Sequence, residues 1–136
     1  MRGPAVLLAA LALLAAGCGG GSSESASEEG ATKTIAGVEA NDHGTTTVSG
    51  SAEVELDDSY FEPTVIKGTP GRQVKLELKN EGSNEHNFTL TSQNVDQDVE
   101  AGEDADVTVT IPQSGQVSFF CKYHKSIGMA GALAAG

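Results

Sequence analysis

The chain has 136 residues, a formal charge of −11 and an apolar share of 38%. So acidic a balance argues against nucleic acid or an anionic membrane surface as partner, and otherwise describes a solvated surface. Sulfur and imidazole are scarce, with two cysteines, two methionines and three histidines in all.

Residues 1–18 read MRGPAVLLAALALLAAGC and carry the parts of an export signal: Arg2, an apolar run over residues 5–16, and small residues before a cysteine. The run is shorter than the roughly 20 residues a bilayer-spanning helix needs. Leu14-Ala15-Ala16-Gly17-Cys18 resembles the lipobox of bacterial lipoproteins, with Ala15 where leucine is commoner. The resemblance implies a signal peptide over residues 1–17, cleavage before Cys18, and a lipid on its sulfur holding the protein outside the cytoplasmic membrane. The plainer alternative is a secretory signal with an incidental cysteine. With Cys18 lipidated, Cys121 stands alone in an oxidising compartment, where it is buried, paired with another molecule, or bound to a metal.

Residues 18–50 follow as GGGSSESASEEGATKTIAGVEANDHGTTTVSG after the cysteine. Few large apolar side chains are available to offset ordering entropy, so the stretch reads as a flexible tether. Its span would be on the order of 30 Å, from roughly 5–6 Å times the square root of its length. His43, between Asp42 and Gly44, reads as a solvated linker histidine.

Residues 51–136 form the one globular unit. Ala52, Val54 and Leu56 alternate with polar residues, and Phe61, Val65 and Ile66 flank Pro63. Gly68-Thr69-Pro70-Gly71 is a turn, Val74, Leu76 and Leu78 alternate again, and Asn80-Glu81-Gly82 ends that strand. His86, Phe88 and Leu90 share a phase, as do Val107, Val109 and Ile111 before Pro112, and Val117, Phe119 and Cys121 after Gly115. Seven to eight short strands punctuated by Gly and Pro predict an all-β fold, a two-sheet sandwich.

Residues two apart on a strand share a face. If Phe88 and Leu90 face the core, so does His86; if Val117 and Phe119 do, so does Cys121. The loop after Cys121 carries His124 and Met129 and can fold both back over that end of the sandwich. Taken singly, Cys121 would be a buried structural thiol, the histidines hydrogen-bonded residues, and Met129 a core gap-filler. Taken together they offer two imidazoles, a thiolate and a thioether. Such a set suits copper in both oxidation states, whereas zinc takes four strong ligands or three and water.

Cys121-x2-His124-x4-Met129, with His86-Asn87 upstream, resembles the blue copper proteins, the small cupredoxins of the plastocyanin, pseudoazurin and halocyanin type. Phe61-Glu62-Pro63, Gly68, Asn80 and Glu85-His86-Asn87-Phe88 fit the same pattern, so the resemblance covers almost all of residues 51–136. It implies a cupredoxin-like Greek-key sandwich with one copper ion cycling between Cu(I) and Cu(II). His86, Cys121 and His124 would be equatorial ligands and Met129 axial. Asn87 would pin the two ligand segments together by hydrogen bonding near the cysteine. The ending GMAGALAAG suggests a shorter closing strand than the family's.

The function so implied is single-electron transfer by a monomer, with redox partners docking transiently near His124. The small, mostly apolar residues 126–133 are expected to form the docking patch, with Lys122 and Lys125 as solvated flanks and Tyr123 as a packing residue. The alternative in the same compartment is a copper chaperone or scavenger. Catalysis is not expected: Cys121 and His124 share one short loop, no third orienting group or oxyanion loop is visible, and the histidine clusters of a multicopper oxidase are absent.

Overall fold

The computed structural model describes residues 30–136. The export signal over residues 1–17, the lipid-bearing Cys18 and the first part of the tether lie outside the described residues. In chain order the strands are β1 (Thr32–Ile35), β2 (Val38–Asn41), β3 (Thr45–Thr47), β4 (Ser51–Leu56), β5 (Phe61–Glu62) and β6 (Val65–Gly68). There follow β7 (Gln73–Asn80), β8 (His86–Leu90), β9 (Val95–Val99), β10 (Asp104–Thr110), β11 (Gln116–Phe120) and β12 (Ala130–Ala135). A four-stranded sheet in the order β10-β7-β4-β5 faces a six-stranded sheet in the order β3-β6-β12-β11-β8-β9, and β1-β2 forms a separate hairpin. The all-β sandwich is therefore present. The short strands β3 and β5, and β9, bring its strand count above the seven or eight expected.

Alternation explains why the sheets close face to face. On β7, Val74, Leu76 and Leu78 are buried while Gln73 and Lys75 are exposed, and β10 buries Val107 and Val109 in the same way. From the opposite sheet come Phe88, Leu90, Phe119 and Leu133, all fully buried. Phe61 meets Phe119 edge to face at 5.0 Å between ring centres, and Phe88 lies 4.7 Å from Phe119. Fully burying each such side chain contributes about 1.5–3 kcal/mol.

Two expectations need correction. The stretch read as tether up to Gly50 is structured from Thr32 onward. Low hydrophobicity kept it from looking like a strand, but β3 needs little apolar area of its own because it adds in parallel to β6, Thr46 opposite Ile66. His43 is likewise no solvated linker residue. Its ring stacks on Tyr60 at 3.5 Å, its Nε2 accepts from the Gly30 amide at 3.2 Å, and its own amide donates to Thr64 Oγ1 at 2.7 Å.

The closing strand is also full rather than short. β12 lies between β11 and β6, paired to both, and is buried from Ala130 to Ala134. Its small residues are what let it fit. Gly131 stands opposite Phe119, and a Cβ there would meet the Thr64 carbonyl and the Phe119 ring.

Candidate metal centre

Antiparallel pairing sets Phe120 of β11 opposite Thr89 of β8, so the chain leaving β11 runs back toward the start of β8. Cys121 and His86 are thereby delivered to one pole of the sandwich, both with no exposed surface. The chain then turns back on itself. The His124 amide donates to the Cys121 carbonyl at 3.1 Å, the Met129 amide to the His124 carbonyl at 3.2 Å, and the Cys121 amide to the Met129 carbonyl at 3.0 Å. A short 3-10 turn, Lys125–Ile127, fills the loop.

One nitrogen from each imidazole and the Cys121 Sγ lie within 4.8 Å of one another. The His86 and His124 Nδ1 atoms approach to 3.2 Å, and His124 Nδ1 is 3.5 Å from Sγ. Met129 is fully buried in the same core cluster as Cys121. Asn87, fully buried, accepts at Oδ1 from the Lys122 amide at 3.2 Å, linking β8 to the residue after the cysteine. Its Nδ2 donates at 2.8 Å to both Asp96 and Asp98 of β9.

Burial pushes the Cys121 thiol up, while the amides of Tyr123, His124 and Asn87 pull the other way. Burial also holds His86 below the usual imidazole value, against a hydrogen bond to Asp58. Without a cation, burial thus favours the neutral thiol of Cys121 and the neutral ring of His86. A metal ion that takes the thiolate supplies the charge that burial otherwise penalises. Two imidazole nitrogens and a largely buried thiol converging, with a thioether in the same core cluster as the thiol, fit one copper ion better than zinc or a hard cation.

Several neighbours of this pole carry no signal in the sequence. Asp58, in the turn after β4, accepts at Oδ1 from the Ser83 amide at 2.8 Å and lies 3.2 Å from His86 Nε2. Asn41 of β2 donates from Nδ2 to the Ser59 carbonyl at 2.9 Å and to the Ile127 carbonyl at 3.0 Å, and its amide bonds the Gly128 carbonyl at 2.9 Å. Asn41 sits in the stretch read as tether and Asp58 between two strand patterns, and only the fold brings them to this pole.

The surface beside His124 also departs from expectation. Of residues 126–133, Gly128 onward is buried and Ala130 onward is strand, which leaves Ile127, 56% exposed, as the large apolar side chain of that stretch at the surface. Tyr123, expected as a packing residue, is 46% exposed and donates to Asp98 at 3.1 Å. Lys122 pairs with Asp96 at 3.0 Å, and Lys125 lies 4.4 Å over the Phe120 ring.

Residues 7–135 match the model of the cupredoxin-like domain. Among solved structures, the chain is similar to the dithionite-reduced auracyanin of Roseiflexus castenholzii, at 15% identity and a TM-score of 0.54 over 63% of this chain and 96% of that one. It is similar to auracyanin A, a "blue" copper protein of Chloroflexus aurantiacus, at 15% and 0.54 over 65% and 100%. The metal-binding domain of the Cu(I)-exporting P-type ATPase of Streptococcus pneumoniae matches at 10% and 0.54 over 67% and 96%. At these identities the likeness is one of fold. No curated protein sequence matches the chain. No helix among the described residues is long and apolar enough to cross a membrane.

Proposed function

Since the chain belongs to the cupredoxin-like domain family, we propose that it is a single-electron carrier with one type 1 copper held by His86, Cys121, His124 and, more weakly, Met129. The observation that carries this reading is the convergence of His86 Nδ1, His124 Nδ1 and Cys121 Sγ, with His86 and Cys121 fully buried and His124 half-buried. Copper bound there supplies reversible exchange of one electron without proton or group transfer.

The protein's own contribution is to keep the donors still. His86 is fixed by β8 and Asp58, Cys121 by β11 and the Met129 carbonyl, and the ligand loop by Asn87 and Asn41. A centre built on strand ends and supported by hydrogen bonds reorganises little on redox change. Electrons enter and leave at His124, the one member of the trio that is not fully buried, between exposed Tyr123 and Ile127. Two such side chains suit a small, transient interface with a redox partner.

Copper delivery is the second reading, favoured by the likeness to a copper exporter's domain. It requires donors an acceptor can reach, and the full burial of His86, Cys121 and Met129 supports the carrier instead. Titration of the purified protein with Cu(II) tests both. An intense visible thiolate-to-copper band is expected in the wild type and not in Cys121→Ser, with reversible reduction and no loss of metal to an apo acceptor. A colourless wild type would falsify the copper assignment.

The export signal and the Leu14–Cys18 segment support a lipid anchor on Cys18 that places the domain outside the cytoplasmic membrane. Fatty-acid labelling of the expressed precursor, lost in Cys18→Ser, is the expected result; a label that survives the substitution would overturn the anchor.

A further inference from the structure

His86 has both ring nitrogens committed. Nδ1 faces His124 Nδ1 at 3.2 Å, and Nε2 lies 3.2 Å from Asp58 Oδ1. A neutral imidazole has one N–H and one lone pair, and the hydrogen bond made by one nitrogen decides the state of the other. An ionised carboxylate only accepts, so the proton sits on Nε2 and the lone pair of Nδ1 is presented to the donor cluster. The carboxylate is itself aimed by the Ser83 amide at 2.8 Å and the Asn84 side chain at 3.4 Å. Its far side is open, with Asp58 46% exposed against none for His86.

A separate observation shows that space is kept for this pair. Gly82 lies against it, and a Cβ on that residue would meet Asp58 Oδ1 and stand 2.8 Å from His86 Nε2. Any larger residue at 82 would force the two apart. The turn therefore combines an anchored carboxylate with the one residue type that lets it reach the ring.

We propose that Asp58 is a positioning residue of the metal centre: it fixes the His86 tautomer that offers Nδ1 as a ligand, and its charge favours the oxidised form of the bound copper. The proposal rests on the copper reading above for its second half only. The tautomer belongs to the metal-free protein.

Three variants separate the two effects. Asp58→Ala removes the acceptor and the charge. Asp58→Asn removes the charge but keeps a carbonyl oxygen that can accept from Nε2. Gly82→Ala keeps the carboxylate and wedges a methyl group against the contact. Nitrogen-15 spectra of the metal-free protein are expected to show His86 protonated at Nε2 in the wild type and Asp58→Asn, and a mixture of tautomers in Asp58→Ala and Gly82→Ala. Cu(II) affinity, measured against a competing chelator, should fall about 10–100-fold in Asp58→Ala, the usual cost of losing such a partner. In Asp58→Asn the tautomer should survive while the reduction potential rises. Thermal melts of each metal-free variant identify any loss of fold. Ring spectra and Cu(II) affinity unchanged in a folded Asp58→Ala would overturn the proposal. A wild type that binds no copper would remove the copper reading, and the ring spectra would still decide whether Asp58 sets the tautomer.

Discussion

The middle of the sandwich and its donor-bearing pole are buried by the same strand alternation, yet they are held together differently. In the middle, Phe61 packs edge to face on both Phe88 and Phe119, among aliphatic side chains of both sheets. Non-directional burial does the work there, and a residue of similar volume can replace another. At the pole, two residues further along the same strands, the inward positions carry His86 and Cys121. Each polar atom there has a directed partner: Asp58 for one His86 ring nitrogen, His124 Nδ1 for the other, and the same His124 nitrogen, at 3.5 Å, for the sulfur. No buried side-chain nitrogen or oxygen among the described residues is left without a hydrogen bond. The lesson is that one periodicity builds both a core and a site, and the side-chain chemistry at the strand ends decides which.

The widest gap between the two regions should appear in stability. Phe119→Ala opens a cavity between the sheets and is expected to cost about 3–5 kcal/mol in denaturant unfolding of the metal-free protein. A cost within that of an ordinary surface substitution would mean that Phe119 does not bridge the sheets as described. Asn41→Ala acts at the pole and should cost less. Its side chain donates two hydrogen bonds, to Ser59 and Ile127, together about 1–3 kcal/mol. Because one of them holds the ligand loop, limited proteolysis should cut first within residues 124–128, and an unchanged cleavage pattern would show that β2 does not clamp the loop. Ile127→Asp should barely alter stability or the visible spectrum, since the side chain is 56% exposed. Electron self-exchange between two copies, read from NMR line widths, should slow at least about tenfold, or roughly 1.4 kcal/mol in the barrier. Like charges would then meet at the patch. Self-exchange at the wild-type rate would move the docking surface elsewhere.

The elements most legible beforehand were those whose side chains carry both pattern and chemistry. Val74, Leu76 and Leu78 declared a strand, and the facing of Phe88 and Phe119 carried His86 and Cys121 inward with them. β1, β2 and β3 escaped notice because threonine, glycine and glutamate bury little surface; they order by backbone pairing and by contacts such as His43 on Tyr60. The patch over residues 126–133 was misjudged for the opposite reason. Small apolar residues look alike on a surface and in a tightly spaced central strand, and only the pairing of β12 with both β11 and β6 tells them apart.

What the sequence determined by itself was the donor inventory and the inward facing of His86 and Cys121, because side-chain type and the two-residue period are local properties. The tertiary structure decided which atoms meet. The approach of Asp58 to His86, of Asn41 to Ile127 and of Asn87 to Lys122 depends on strand order and register, and those are fixed by packing across the whole chain.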